Sequence, residues 1–193
     1  MNLTILYLLG PTADKILQSI KNTHSEVKHK TINIEDQDYY QISIEDNNSH
    51  IHKVFNTPRA IRNCKCDEII KGLLKYSNIT YGDMSEEGTI RNYEVVICDM
   101  ETISIKVSSS KPKTSTKYIR EKDNQKVADL AKSAMHVMGL DFGQVNITFT
   151  SRRKYKITAI DPSPEIRDKD MSILLKTINQ LQLSDYTVYN NEV

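Results

Sequence analysis

Residues 139–164 of the chain read GLDFGQVNITFTSRRKYKITAIDPSP. Two stretches of this segment, 145–149 and 155–160, are predicted β-strands, because β-branched and aromatic residues alternate there with polar ones. The polar turn 150–154 joins them, and the prolines of 161–164 end the second strand because proline cannot donate a ladder hydrogen bond. The segment therefore predicts a β-hairpin in which alternate residues of both strands face the same side.

A helix is predicted on either side of this hairpin. Before it, 125–138 carries apolar residues at the i, i+3, i+4, i+7 spacing of one helix face, and Gly139 stands where a helix commonly ends. After it, an apolar stripe at helical spacing predicts a final helix. The inward residues are predicted to be Val127, Leu130, Ala131, Ala134, Val137 and Met138 in the first helix, and Met171, Leu174, Ile178 and Leu181 in the last.

Further upstream, a helix is predicted over 58–76, with Thr57 as its N-cap and Pro58 in its first turn. Two short strands, 93–98 and 102–107, are expected to form a second hairpin. The inward face of the 58–76 helix is predicted to carry Ile61, Cys64, Ile69 and Leu73.

The N-terminal part of the chain predicts an open sheet with one helix packed on it. Strand 3–9, a helix capped by Thr12 and strand 27–34 form a β-α-β unit, and 40–44 and 50–55 are further strand candidates. Together with the C-terminal hairpins and helices, this gives an expected class of α/β (α+β). A small open sheet would be joined to an antiparallel sheet with flanking helices.

The composition narrows the classes of function. Of the 193 residues, 38% are hydrophobic and 26% charged, which is enough apolar surface for a buried core. The 26 basic and 25 acidic residues nearly cancel, which argues against nucleic-acid binding through bulk phosphate attraction. No apolar run is long enough to span a bilayer, so no membrane association is expected. The three cysteines lack zinc spacing and predict reduced thiols in a cytoplasmic protein.

Residues 127–178 resemble the C-terminal part of ATP-grasp carboxylate–amine ligases, a superfamily that includes D-Ala–D-Ala ligase, glutathione synthetase and ribosomal-protein glutamate ligases. The shared pattern is an amphipathic helix, a strand of the type Gly-Leu-Asp-Phe-Gly-x-Val-Asp-Ile, and a strand that ends Glu-Val-Asn-x-x-Pro. In this chain the two strand motifs read GLDFGQVNI and AIDPSP.

Other parts of the chain extend this resemblance. FNTPRAI (55–61) and SNIT (77–80) resemble the family's junction between its pre-grasp domain and its grasp region, and YEVVI (93–97) resembles a later strand of the grasp region. The resemblance implies a pre-ATP-grasp-like region, 1–57, and a reduced ATP-grasp-like region, 58–193. The family's lid subdomain, with its nucleotide-contacting lysines and glycine-rich flap, would follow the junction, and it is expected to be missing.

The resemblance also implies a magnesium site. In the family, an acid on the first strand and a glutamate and an amide on the second bind the magnesium ions that bridge the ATP phosphates. A carboxylate then attacks the γ-phosphate of ATP, which releases ADP and forms an acyl phosphate, and an amine attacks the acyl carbon and displaces the phosphate. The first acid aligns with Asn146, the glutamate with Ala159 and the amide with Asp161. Asn146 and Asp161 are therefore the implied magnesium ligands, and Ala159 cannot bind a metal.

Basic residues are the candidates for holding a nucleotide without the lid. The Ser- and Lys-rich stretch 108–117 is typical of a solvated loop, and the alternative is a flap whose lysines reach anionic ligand groups. The candidate nucleotide-binding residues are Lys111, Lys113 and Lys117 of this stretch and Arg152 and Arg153 of the later turn.

Three functions stay open from the sequence. The first is a degenerate ATP-grasp-like protein, impaired in ligation on its own, that binds a nucleotide or an acid or peptide ligand, or supports an active ligase. The second is a minimal active ligase in which Asp161 and Asn146 hold one magnesium ion and ATP is bound. The third is an interaction module that docks through a sheet edge or through Tyr186 and Tyr189. The expected partner is a protein, or a peptide or amino-acid substrate.

Overall fold

The structure of the chain is a computed structural model that describes residues 2–8, 10–21, 27–34, 36–46, 52–82, 88–109 and 121–183. It forms two compact units, Met1–Phe55 with Glu165–Val193, and Asn56–Pro164. Each unit combines a four-stranded sheet with helices, so the predicted α+β class is confirmed. The division into a pre-ATP-grasp-like region, 1–57, and a reduced ATP-grasp-like region, 58–193, stays a prediction. The two compact units describe how the chain packs and not which family each part resembles.

The described residues form eight strands and five helices. None of these helices is long and apolar enough to cross a membrane. The strands are β1 (Asn2–Leu8), β2 (Val27–Ile34), β3 (Gln37–Asp46), β4 (His52–Phe55), β5 (Thr89–Cys98), β6 (Glu101–Ser109), β7 (Phe142–Thr150) and β8 (Tyr155–Asp161). The helices are α1 (Gly10–Lys21), α2 (Pro58–Asn63), α3 (Asp67–Tyr76), α4 (Glu121–Met138) and α5 (Asp168–Leu183).

The first unit is an open mixed sheet with the strand order β2-β3-β1-β4, in which β1 runs antiparallel to β3 and parallel to β4. The β-α-β prediction is thereby confirmed. Helix α1 begins at Gly10, so the predicted cap at Thr12 is wrong; Pro11 fits the first turn because its fixed φ is already helical. The predicted stripe of α5 is confirmed where side chains are described, with Met171, Leu174 and Ile178 all buried.

The second unit is an antiparallel sheet with the strand order β6-β5-β7-β8, and α4 covers one of its faces. Apolar residues at alternate positions of the strands pack against the apolar stripe of α4. This follows from geometry, because every second residue of a strand and residues three or four apart on a helix share one face. Gly139 ends α4 with a φ of 69°, a left-handed conformation that glycine adopts without strain. The buried cluster includes Tyr93, Val95, Ile97, Val145, Ile147, Ile157 and Ile160 of the sheet and Val127, Ala131, Ala134 and Met135 of α4.

The single helix predicted over 58–76 is wrong, because it is interrupted between α2 and α3. The amide of Cys64 donates to the carbonyls of both Ala60 and Ile61, which tightens the last turn of α2, and Cys66 is extended at φ −117°. The interruption shifts the helical register, so the predicted inward residue Ile69 is 42% exposed. Ile70 and Leu74 are buried instead.

A tight turn joins β5 to β6, as predicted. Its two central residues, Asp99 and Met100, have φ values of 47° and 63°. Positive φ at both central positions matches a type I′ turn, whose twist suits a two-residue hairpin. Neither residue is a glycine, so the turn carries conformational strain.

The substitution Met100→Gly is expected to raise the free energy of unfolding by about 0.5–1 kcal/mol, because it relieves the left-handed strain at a small entropic cost. Urea unfolding followed by circular dichroism measures this gain. The matched control is Met100→Ala, which removes the same side chain and keeps the strain. An equal gain from the alanine variant would assign the effect to the side chain and not to the turn.

Candidate functional site

The side chain of Asn56 joins the start of β7 to the segment after β8. It is fully buried, and its Nδ2 donates to the carbonyl oxygens of Phe142 at 2.6 Å and Pro162 at 2.7 Å. Its Oδ1 accepts from the amides of Asp141 and Phe142, both at 3.0 Å. These bonds use every donor and acceptor position of the amide. Asn56 therefore holds the ends of the two strands that carry the predicted metal ligands.

The backbone of Asn56 has a φ of 51°, in the left-handed region that asparagine tolerates better than most residues. Directly after it, Thr57 caps α2 by accepting the Ala60 amide at 3.3 Å, and Pro58 occupies the first turn. The predicted cap is thereby confirmed. The tight bend at Asn56 lets one residue both start a helix and tie two strands together.

The face of the second sheet opposite α4 is polar, and it is called the polar face below. Because cross-strand neighbours share a face, the strand register sets which side chains lie side by side there. Two successive rows cross the sheet from β6 to β8: Lys106, Glu94, Asn146 and Ala159 in one, and Ser104, Val96, Gln144 and Asp161 in the next.

The structure brings Asn146 and Asp161 to this same face, one row apart on adjacent strands. Asn146 is half-buried, and its Oδ1 accepts a hydrogen bond from Gln144 Nε2 at 2.8 Å. Asp161 is exposed, and its Oδ1 accepts from the Ser163 amide at 2.9 Å. Each of the two predicted ligands therefore already has one oxygen engaged by a neighbour within the protein.

The other predicted site residues lie elsewhere or outside the described part of the chain. Arg152 and Arg153 are exposed in the turn between β7 and β8. The length of β8 separates this turn from Asp161, about 20 Å at the rise of a strand. The structure therefore does not bring these arginines to the predicted metal ligands. Lys111, Lys113 and Lys117 lie outside the described residues, and the role of all five as nucleotide ligands stays a prediction.

An ion pair that the sequence interpretation missed lies on the polar face, between the edge strand β6 and its neighbour β5. Lys106 Nζ donates to both carboxylate oxygens of Glu94, at 3.1 and 2.9 Å. The alternation of 93–97 places Glu94 and Val96 on one side of the strand, so the position of this acid could have been predicted. Its pairing with Lys106 depends on the register of β6, which no local pattern determines.

These residues do not fit a two-ion magnesium clamp. Magnesium prefers oxygen ligands at near-octahedral geometry, usually including carboxylates. The carboxylates on the two rows are Glu94, held by Lys106, and Asp161, which lies two strands away or about 10 Å. Ala159 supplies no oxygen. Among the described residues, no group of three His, Cys, Asp or Glu side chains could hold a metal ion.

The thiol of Cys64, at the end of α2, is close enough to the end of β8 to sense the charge of Asp161. Burial raises the pKa of Cys64 to about 12, and the negative charge of Asp161 contributes in the same direction. At neutral pH the thiol is therefore protonated and a weak nucleophile. A thiol with this pKa is not an activated nucleophile, and its reduced state stays a prediction.

No protein-family model matches this sequence, and no curated protein sequence matches it either. Solved structures do match in fold. The macrocyclase MdnB from Microcystis aeruginosa MRC matches with a TM-score of 0.56 and 14% identity, over 94% of this chain and 98% of that one. The macrocyclase MdnC from the same organism, bound with its precursor peptide MdnA, matches with a TM-score of 0.55 and 8% identity, over 93% and 100%.

The fold is ATP-grasp-like. At these identities the likeness concerns the fold alone. In this chain the motif residues of β7 and β8 lie on one sheet face, opposite a long amphipathic helix. A shared fold does not imply a shared function, so the chemistry of that face depends on its own side chains.

The substitution Asn56→Ala is expected to lower the free energy of unfolding by about 3–5 kcal/mol, because it leaves buried backbone amides and carbonyls without partners. Urea unfolding measures this loss. The matched control is Asn33→Ala, which removes an exposed amide that donates to Asp38 and should cost less than about 1 kcal/mol. Equal losses in the two variants would contradict the central role of Asn56.

Cys64 is expected to resist alkylation at pH 8, because a pKa of about 12 leaves almost no thiolate. In a Cys66→Ser variant, iodoacetamide labelling of Cys64 followed by mass spectrometry should accelerate as pH rises. Adding Asp161→Asn should speed labelling at a given pH, since the lost negative charge lowers the thiol pKa. Asp129→Asn, on the exposed side of α4, is the control. An unchanged rate in Asp161→Asn would show that the carboxylate does not act on the thiol.

Proposed function

We propose that this chain is a degenerate ATP-grasp-like protein that binds a peptide and does not carry out ligation on its own. The observation that carries the proposal is the row of side chains across the polar face. Where the family has an acid and a glutamate, this chain has the amide of Asn146, bonded to Gln144, and the methyl group of Ala159. The remaining acid of that row, Glu94, forms an ion pair with Lys106.

The short connection between α3 and β5 supports the same proposal. Residues 77–88 join these elements, whereas the family inserts its lid subdomain after the corresponding junction. Within this connection, the Gly82 amide donates to the Ile157 carbonyl and the Ile157 amide donates to the Thr80 carbonyl. The chain therefore passes from the junction directly along the edge of β8. A truncated member of the superfamily would lack both the carboxylates that bind two magnesium ions and the lid lysines that contact the nucleotide.

The peptide part of the proposal draws on the structural neighbours. MdnC was solved bound with a precursor peptide, and both MdnC and MdnB are macrocyclases. We infer a peptide partner for this chain, which could act beside an active ligase. The expected cytoplasmic location fits such a role and stays a prediction.

The second candidate function is a minimal ligase that uses a single magnesium ion. It is favoured by the placement of Asn146 and Asp161 one row apart, with the Asp161 carboxylate exposed. One or two carboxylates can suffice for a single magnesium ion when substrate phosphates and waters supply the other ligands. The two functions differ in whether ATP binds in a magnesium-dependent way.

Isothermal titration calorimetry with millimolar ATP and magnesium separates these functions. The wild-type chain is expected to show no saturable magnesium-dependent ATP binding. The double variant Asn146→Asp/Ala159→Glu is expected to bind magnesium at least about tenfold more tightly than wild type, because two carboxylates join Asp161. The matched control Ser133→Asp/Ser172→Asp adds the same charge on exposed helix surfaces. ATP turnover by the wild type that is lost in Asp161→Ala would favour the minimal ligase and overturn the proposal.

A further inference from the structure

A groove runs between the C-terminal half of α3 and the segment that follows it. Its volume is about 440 Å³, within the range of ligand sites in proteins. It belongs to the second unit and shares no residue with the two rows of the polar face. The groove is lined by Lys71, Lys75, Asn78, Ile79, Thr80 and Tyr81. We propose that it binds an extended acidic segment of a peptide partner.

The walls of the groove are fixed by hydrogen bonds before any ligand binds. The Ile79 amide donates to the Leu74 carbonyl at 2.8 Å, which turns the chain sharply at the end of α3. Tyr81 Oη donates to Asp67 Oδ1 at 2.9 Å and thereby ties the opposite wall to the start of the helix. A groove that is already ordered costs less conformational entropy on binding.

The charge of the groove is positive. Lys71 and Lys75 are exposed and lie one helical turn apart on the same side of α3. Within the part of the chain that the structure describes, neither lysine has an ion-pair partner. The acids of α3, Asp67 and Glu68, lie in its first turn, where the helix dipole favours them, and Asp67 is engaged by Tyr81. The lining thus carries two cations and no acid.

The spacing of the two lysines matches an extended peptide. Along a helix, positions i and i+4 are about 6 Å apart in rise. Along an extended chain, alternate side chains on one side are about 6.6 Å apart. Acidic residues at alternate positions of a peptide can therefore face Lys71 and Lys75 together. The exposed side chains of Asn78 and Thr80 can donate to or accept from the peptide backbone, and Ile79 provides an apolar floor.

This inference rests on the peptide part of the proposed function, and it does not depend on the loss of ligation. The probe is a fluorescein-labelled decapeptide of alternating Glu and Thr, with the Gln–Thr decapeptide as its uncharged counterpart. Binding to the full chain is measured by fluorescence anisotropy at low and physiological salt. The acidic probe is expected to bind at least about tenfold more tightly than the uncharged one, since ion pairs supply the difference.

The variant Lys71→Glu/Lys75→Glu is expected to weaken binding of the acidic probe at least about tenfold. The control Lys126→Glu/Lys176→Glu makes the same charge change on exposed positions of α4 and α5 and should stay within about twofold. Circular dichroism checks that both variants are folded. The proposal is overturned if the acidic probe does not bind, if both probes bind equally, or if both variants lose binding equally.

Competition with inorganic phosphate separates a peptide site from a small-anion site. Displacement of the probe by low-millimolar phosphate at constant ionic strength would overturn the peptide assignment. Retention of the probe under these conditions supports it. The calorimetric result with ATP is independent of this experiment. Probe binding together with magnesium-dependent ATP binding would contradict the proposed loss of ligation alone, and the absence of both would contradict the peptide groove alone.

Discussion

The amide of Asn56 bonds to backbone groups 86 and 106 positions further along the chain, and these groups belong to the start of β7 and to the segment after β8. A buried amide is costly unless all its polar atoms are paired, and here all of them are. The pairing fixes the ends of β7 and β8 against the start of α2. The placement of Asn146 and Asp161 on one face depends on this constraint, because a slip of one residue between β7 and β8 would turn one of the two side chains to the opposite face.

Local patterns were sufficient to predict the strands and helices on which this constraint acts. The alternation within 139–164 predicted the shared face, and the helical period of 125–138 predicted the helix behind it. The break at Cys64–Cys66 was not predicted. The apolar residues before and after it each suit a helix, and only the shift in their helical spacing across the break reveals two helices. The role of Asn56 was not predictable either, since its partners become neighbours only in the folded chain.

The sequence predicted which side chains of the candidate site share a sheet face, but not which of them bond to each other. A strand pattern states which side chains share a face, but it does not state which of them hydrogen-bond to each other. The Glu94–Lys106 ion pair and the Gln144–Asn146 hydrogen bond both depend on register or rotamer. These pairings matter chemically, because an acid held by a lysine and an amide oxygen held by a glutamine are poorer metal ligands than free ones.

The electrostatics of the two surfaces differ in a way that the overall net charge of +1 conceals. On the polar face, the described ionisable side chains in the two rows are Lys106, Glu94 and Asp161, so an anion approaching it meets an excess of negative charge. A nucleotide would need metal ions to offset that charge. In the groove, Lys71 and Lys75 have no opposing acid in the lining, so an acidic peptide is attracted without any metal. A chain that loses its metal ligands can therefore lose nucleotide binding and keep peptide binding, because the two depend on different residues and different charges.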